Sequence, residues 1–599
     1  MAIITKTSVA FSRIFDLLSY QEQKYSNPKA INFFKKGKWQ GLSIQELQSK
    51  ADILSCWFLN NGYLKGDKII LVPQLGNPEW MILDFACQQI GMITVPVHPT
   101  SRPEEIEVVL KETEAKLCVT ADSDLYFKFT VAIENLGGQT SIHHLKQDVP
   151  GHFYPLDVAS ASSKELSELQ TLKKEIQEDD LLTILYTSGS SGIPKGVMLT
   201  HRNIAHSIRV ILTLLPLEPR HRVISFLPFS HILERATCYA YLAFGVSVYF
   251  SQNKDSFAQD FKTVKPFFCT SVPRVLERMY DFMQEQLLKR NFLKRKLIGW
   301  ALAIGRKYDS DKVKPSYFVQ LLVARLLVLR LWREKLGGEI KYMAVGAASL
   351  QPEIGRLFSA AGIRIVEGYG MTETAPLISI NRFEPGLNHF GTVGIAIPGI
   401  EIKIDSPNED QEGEILVKGP NVMKGYFKRP ELTNEVLSSD GWFRTGDIGK
   451  FVNQRFLKIT DRKKDIFKTS SGKYIAPLPL QNHLAKSFFI QRCLIIGFQR
   501  PFVTALIVPQ FEMLQAWCTK EHIHWTSPQF MVHNIRVRAK LQQEVDELNE
   551  ELANFERIRD FVLCPEEWSV EAGEITTTLK PVRKTLLEHF EKEIEKMYA

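Results

Sequence analysis

Read from the amino end, apolar runs of strand length alternate with stretches whose apolar residues recur at helical spacing. KIILVPQ (68–74) is followed by EWMILDFACQQIG (79–91), MITVPVHP (92–99), EEIEVVLKETEAK (104–116) and LCVTA (117–121). Strand and helix in strict alternation predict α/β layers built on parallel sheets. Near position 400 the texture changes to short strand-like pieces, IEIKID (400–405), GEILVKG (413–419) and RFLKIT (455–460), separated by Gly, Pro, Asn and Asp. These predict a small β-rich, barrel-like subregion closing a large N-terminal domain. After the charged DRKKD (461–465) comes a shorter α+β pattern that ends in the helical KTLLEHFEKEIEKMYA (584–599). A domain boundary is expected at Asp461, giving an N-terminal domain over 1–460 and a C-terminal domain over 465–599.

A chain of 599 residues exceeds what one core usually sustains, which fits this division. Hydrophobic residues at 44% and charged residues at 24% belong to a globular protein. The first fifteen residues, MAIITKTSVAFSRIF, lack the basic start, apolar core and cleavage pattern of a secretion signal. Eight cysteines at 56, 87, 118, 238, 269, 493, 518 and 564 include no C-x-x-C pair and read as reduced, buried thiols. Cys518, His522 and His524 are the one local trio with metal-ligand chemistry, and an ordinary surface segment is the preferred reading.

The net charge of +7 is unevenly placed: 287–338 holds thirteen Lys or Arg against Asp309, Asp311 and Glu334, so it carries +10 and the remainder −3. The same segment contains LIGWALAIG and FVQLLVARLLVLRLW, the second interrupted by Arg325 and Arg330, which predicts a surface-lying rather than a spanning stretch. Helices packing on a large domain with their basic side outward give the same pattern. No nucleic-acid partner is expected.

The chemistry concentrates in LLTILYTSGSSGIPKGVMLTHRN (181–203), a strand-like run that delivers Thr187 to Gly196 into a loop of Gly, Ser and Thr. Backbone N–H groups and hydroxyls in such a loop turn toward phosphate oxygens, because Gly permits close approach. Gly189, Gly192, Pro194 and Lys195 do not have the spacing of a Walker A loop, which disfavours a kinase or P-loop ATPase.

Tyr186-Thr187-Ser188-Gly189-Ser190-Ser191-Gly192-Ile193-Pro194-Lys195-Gly196 resembles the signature loop of the adenylate-forming superfamily, which includes acyl-CoA synthetases, luciferases and peptide-synthetase adenylation domains. Gly368-Tyr369-Gly370-Met371-Thr372-Glu373-Thr374, Trp442-Phe443-Arg444-Thr445-Gly446-Asp447 and Asp461-Arg462-Lys463-Lys464-Asp465 follow in the family's order. The resemblance implies ATP, Mg²⁺ and CoA as cofactors. Thr187 to Gly192 and Lys195 would hold the phosphates, Thr372 the α-phosphate and Glu373 the metal, since Mg²⁺ favours carboxylate and phosphate oxygens. Gly368 to Gly370 would form the adenine side, with Tyr369 as a flat face for the base or, on the plainer reading, an ordinary strand-end aromatic. Asp447 would bind the ribose, Arg462 would contact the same nucleotide, and 461–464 would be a hinge centred on Lys464.

Gly573-Glu574-Ile575-Thr576-Thr577-Thr578-Leu579-Lys580 resembles the segment whose lysine bridges carboxylate and α-phosphate; Lys580 is the choice, with Arg583 and Lys584 as alternatives. Ser470, Ser471 and Gly472 match the loop that approaches pantetheine. Leu227-Pro228-Phe229-Ser230-His231-Ile232-Leu233-Glu234-Arg235, Val272-Pro273-Arg274-Val275 and Gly346-Ala347-Ala348-Ser349-Leu350 are similar to stretches of the long-chain fatty acyl-CoA synthetases. His231 then reads as a gate or packing group rather than a general base. The expected reaction is activation of a fatty acid to acyl-AMP and transfer to CoA, in the cytoplasm or peripherally at the inner membrane surface. A ligase loading a carrier protein shares the first half-reaction, and a catalytically silent membrane-binding protein is the alternative of another class.

Overall fold

The computed structural model describes residues 11–75, 78–145, 161–188, 194–253, 255–288, 291–309, 315–576 and 580–599. Two large sheets form the body of the N-terminal domain. The first has seven strands in the order Gly425–Tyr426, Pro194–Thr200, Leu181–Ser188, Ile93–Pro96, Lys68–Val72, Leu117–Thr120 and Ser141–His144. From Leu181–Ser188 to Ser141–His144 the pairings are parallel. Ile93–Pro96 and Leu117–Thr120 are buried along their whole length, as strands covered on both faces must be. The helices between them, Glu79–Gln89 and Pro103–Thr113, lie where the alternation of apolar runs predicts them.

The second sheet has nine strands. Its parallel centre runs Arg364–Tyr369, Tyr342–Val345, Phe268–Ser271, Arg222–Ser225, Ser247–Phe250 and Ile31–Lys35. Short antiparallel strands finish both edges.

The strands near position 400 form a four-stranded antiparallel sheet, Glu401–Asp405, Gly413–Lys418, Phe443–Val452 and Phe456–Arg462. Among the described residues its first and last strands do not pair, so the expected barrel-like subregion is an open sheet. Closure depends on whether the two edge strands meet, and alternating apolar residues report only which face is buried.

C-terminal to this sheet lies a small hairpin, Phe467–Lys468 with Tyr474–Ile475, and a three-stranded sheet, Ile490–Ile496, Val503–Pro509 and Ile558–Leu563. This sheet has its own core, in which Ile495, Ala505, Ile507, Leu514, Leu541 and Phe561 are buried together. The large domain and this smaller α+β unit touch where Gln351 Nε2 donates to Ala485 O at 3.1 Å. Tyr280 and Phe488 stack beside that contact, with ring centroids 6.1 Å apart.

The basic segment departs from its reading in one respect. Pro315–Ala324, a π-helical stretch at Arg325–Leu329 and Arg330–Lys335 make one helical run of 21 residues that contains an 18-residue window of mean hydropathy 1.3, long and apolar enough by length and composition to cross a membrane. Arg325 and Arg330 do not break it, because a helix of this length tolerates two charges when one of them has backbone partners. Arg325 Nε donates to Ala360 O at 2.5 Å and Arg325 Nη2 to Ser359 O at 3.4 Å. All eight cysteines are free and buried.

Candidate active site

Leu181–Ser188 and Pro194–Thr200 pair as an antiparallel hairpin with Thr187 opposite Lys195 and Ser188 opposite Pro194. The phosphate-loop candidates Gly189, Ser190, Ser191 and Gly192 lie outside the described residues. Gly196 has functional geometry of another kind: a Cβ there would stand 2.8 Å from Ile184 Cγ2 and 3.1 Å from Tyr186 Cζ, so only glycine lets the two strands close. Thr200 then caps the helix His201–Leu214 by a reciprocal bond with Asn203, ending the strand where the helix begins. The hairpin is tied from behind by Tyr186, whose hydroxyl donates to Glu112 Oε2 at 2.9 Å.

Gly368, Tyr369 and Gly370 sit at the carboxyl end of a parallel strand, the edge at which open α/β sheets bind ligands. A Cβ on Gly370 would fall 1.7 Å from Pro376 O, which excludes every other residue. Thr372–Thr374 follows as a single 3₁₀ turn that leaves Thr372 half-exposed and Glu373 buried. Glu373 Oε1 accepts from the Tyr426 hydroxyl at 3.0 Å, and Lys195 Nζ lies 5.2 Å from the centre of the same Tyr426 ring. Burial pushes the Glu373 carboxyl above its ordinary value, with Lys195 pulling the other way.

Tyr369 is buried, and its hydroxyl donates to Asp447 Oδ2 at 2.6 Å. Asp447 and Arg462 stand opposite each other across the antiparallel pair Phe443–Val452 and Phe456–Arg462. Arg462 Nε is 3.7 Å from Asp447 Oδ1. The carboxylate is thus held on both oxygens, by a phenol and by a cation. Gly446, at φ +73°, supplies the left-handed turn that precedes it.

Lys580 reaches this group from the C-terminal unit. Its own loop is closed by Thr576 N–H to Lys580 O at 2.8 Å and Lys580 N–H to Thr576 Oγ1 at 3.1 Å. Burial and then the Arg462 charge push the Lys580 ammonium down to about 8, while Asp447, Glu373 and Asp465 act to raise it. Lys195, Tyr369, Glu373, Asp447, Arg462 and Lys580, from five separate stretches, therefore share one electrostatic neighbourhood.

Lys464 is exposed on the turn that leaves Phe456–Arg462, and Gly472, at φ +83°, sits on the turn of the hairpin Phe467–Lys468 with Tyr474–Ile475. Sequence reading gave no separate role to Asp461. Asp461 is buried, accepting from Arg462 N–H at 2.6 Å and from Leu478 N–H at 3.2 Å. It thereby joins the last strand of the four-stranded sheet to the first helix of the C-terminal unit, Pro477–Leu484.

The second missed group is His98. Its ring lies 5.3 Å from that of His231, centroid to centroid, at the mouth of Ile93–Pro96. Its place just beyond a parallel strand's carboxyl end was the available signal. Burial, with the Lys580 charge second, pushes His231 down to about 4, so the imidazole is neutral at physiological pH. Arg235, from the same stretch, is structural: it is buried, with Nε 3.2 Å from Asp84 Oδ2 and Nη1 donating to Thr183 Oγ1 at 2.8 Å.

Comparison with known proteins places the chain in a family. The AMP-binding enzyme family matches residues 19–427, and the AMP-binding enzyme C-terminal domain matches 464–599. The peroxisomal long chain acyl-CoA synthetase 7 of Arabidopsis thaliana is 32% identical, the match covering 97% of this chain and 85% of that protein. The long-chain-fatty-acid–CoA ligase FadD15 of Mycobacterium tuberculosis is 30% identical over 94% of this chain and 93% of its own length. Among solved structures, ATP-bound MatB from Rhodopseudomonas palustris superposes with a TM-score of 0.69 at 21% identity, covering 97% of this chain and 99% of that one. The A domain of carboxylic acid reductase from Segniliparus rugosus, in complex with AMP and a co-purified carboxylic acid, gives 0.73 at 21% identity, covering 98% and 94%. On the extent of these matches the chain belongs to the AMP-binding enzymes of the adenylate-forming superfamily, and among them to the long-chain acyl-CoA synthetases.

Proposed function

We propose that this protein activates a long-chain fatty acid with ATP and transfers the acyl group to CoA. In the first half-reaction a carboxylate oxygen attacks the α-phosphorus and pyrophosphate leaves. In the second, the CoA thiolate attacks the acyl carbonyl of the mixed anhydride and AMP leaves. The observation that carries this reading is the cluster in which Asp447 is held by Tyr369 and Arg462 while Glu373 and Lys195 flank the Tyr426 ring, with the Lys580 charge coupled to it. Attack of one anion on another needs fixed cations at the point where charge develops, and a preorganised site supplies them without reorganisation.

Within that reading, Asp447, held by Tyr369 and Arg462, takes the ribose hydroxyls, and Lys195 with Thr187 to Gly192 takes the phosphates. Thr372 donates to the α-phosphate. Glu373 suits Mg²⁺: its buried carboxyl, pushed upward by desolvation, is the kind of hard oxygen ligand that regains its charge beside a divalent ion. The ion would supply charge neutralisation to the phosphates. Gly472 lies on an exposed turn able to approach pantetheine, and 461–464, with Lys464 outermost, is the hinge between the domains 1–460 and 465–599.

CoA is favoured over a carrier protein because Asp447 and Asp461 belong to two strands joined by a short turn, which leaves no inserted segment before the hinge. We place the enzyme in the cytoplasm, attached peripherally to the membrane through the segment 287–338. Eight free cysteines support a reducing compartment. A panel of acids from short to very long, incubated with ATP and CoA, tests the whole reading. AMP and acyl-CoA should form together and only with the longer acids. Formation of AMP without acyl-CoA would favour the carrier-loading ligase.

A further inference from the structure

The helical run Pro315–Lys335 exposes a strip of large apolar residues. Phe318, Leu322 and Leu326 form one row at a spacing of four, and Val319, Val323 and Leu327 form the row beside it. Side chains so spaced stack along one face of a helix. Their exposures run from 39% at Val323 to 60% at Val319, where a helix packed on a water-soluble domain shows polar residues. The opposite face is fixed to the protein: Leu321, Ala324, Val328, Leu329 and Trp332 are buried, and the Trp332 and Phe358 rings meet at 5.1 Å.

A second helix, Phe292–Arg306, lies alongside, joined by the Tyr317 hydroxyl donating to Ile304 O at 2.9 Å. Gly305 lets it sit tightly on the domain, since a Cβ there would be 2.8 Å from Leu357 Cδ2. Its first turn presents Phe292 and Leu293, exposed by 75% and 76%, immediately followed by exposed Lys294, Arg295 and Lys296.

We propose that these two helices are an in-plane anchor for an anionic phospholipid surface, with the Phe318–Leu327 rows sunk among the acyl chains and Lys294, Arg295 and Lys296 at the headgroups. Charge decides the occupant. Three adjacent cations at the border of an apolar strip suit anionic headgroups, whereas a second copy of this chain would set the same cations against its own basic segment. The strip cannot span the bilayer, because the buried face would have to leave the core and Arg325 would have to give up Ala360 O and Ser359 O. The core beneath it also holds Leu227 and Leu350, from two of the stretches that are similar to long-chain fatty acyl-CoA synthetases. An acid dissolved in the bilayer would therefore lie against the same apolar body that holds these two residues. This deepens the proposed peripheral attachment, and it rests on the fatty-acid reading only for what docking delivers.

The test is co-sedimentation of the full chain with phosphatidylcholine vesicles, with and without phosphatidylglycerol, in the absence of acid, ATP and CoA. Binding is expected only to the anionic vesicles, and it should fall about tenfold or more with Leu322→Asp plus Leu326→Asp, or with Lys294, Arg295 and Lys296 changed to Glu. Added salt should weaken the wild type and spare little of the leucine variant's residual binding. Alkaline carbonate should release the bound protein. No binding by the wild type overturns the anchor, and so does retention after carbonate, which would mean a spanning helix. Light scattering that finds a dimer broken by the leucine substitutions, without vesicle binding, assigns the strip to a second copy and also overturns it. Failure of the fatty-acid reading appears instead in the acid panel and leaves the vesicle result standing.

Discussion

The phenolic hydroxyl of Tyr369 and the carboxylate of Asp447 are 2.6 Å apart, although 78 residues separate them in the chain. The bond fixes the side of Asp447 that faces the end of the parallel strand, and Arg462 fixes the other. On the proposed function, an acceptor held in this way is preorganised for the vicinal hydroxyls of the ribose.

Removing the phenol while keeping the ring should therefore weaken nucleotide binding more than turnover. Tyr369→Phe is expected to raise KM for ATP about tenfold, or about 1.4 kcal/mol, the scale of one hydrogen bond to a charged group. Pyrophosphate exchange measured against ATP concentration reads this directly. An unchanged KM would show that Asp447 needs no such support.

Two glycines should respond differently to the same substitution. Gly370→Ala places a methyl group 1.7 Å from Pro376 O, so the turn carrying Thr372 and Glu373 must move, and both activity and at least about 3 kcal/mol of stability should be lost. Gly446→Ala meets no atom within 4 Å and is penalised only by its φ of +73°, about 1 kcal/mol. Thermal unfolding of the two variants, side by side, separates steric from backbone cost.

The alkaline limb of adenylation should belong to Lys580. Its ammonium, pushed down to about 8, is charged below that pH and loses its proton as pH rises through it. A cation is wanted while pyrophosphate departs, so kcat/KM for adenylation should fall above about pH 8. Lys580→Arg, which keeps its charge, should carry no such limb even if it is slower. An identical pH profile in both would exclude Lys580 as its source.

Glu367, one residue before Gly368, predicts a pH dependence of stability. Burial raises its carboxyl to about 8 from an ordinary 4.5, and its partners are the N–H groups of Leu350 and Gly391. The unfolded chain gives up this proton first, so the contribution is fully present below about 4.5 and is lost progressively up to about 8. Glu367→Gln should flatten the decline of Tm across that interval.

Much of this was legible beforehand because its signals are local. Periodicity marks the parallel strands, and four short motifs mark Lys195, Glu373, Asp447 and Arg462. What stayed hidden depends on which strands become neighbours. Tyr426 reaches Glu373 because Gly425–Tyr426 pairs with the strand of Lys195, and nothing near position 426 announces it. His98 meets His231 only once strand order sets their two strand ends together. The open edge of the four-stranded sheet was invisible for the same reason. Arg325 read as an interruption of an apolar run because its acceptors, Ser359 and Ala360, lie on another helix.

The central claim is that Lys580 serves the adenylation step from a different domain, and separate assay of the two half-reactions of Lys580→Ala tests it most directly. Acyl-AMP formation from fatty acid and ATP should fall by at least about a thousandfold, on the scale of losing a group used only in the transition state, while thioester formation from supplied acyl-AMP and CoA should stay within a few-fold of wild type. Equal loss of both half-reactions, or retention of adenylation, would contradict it.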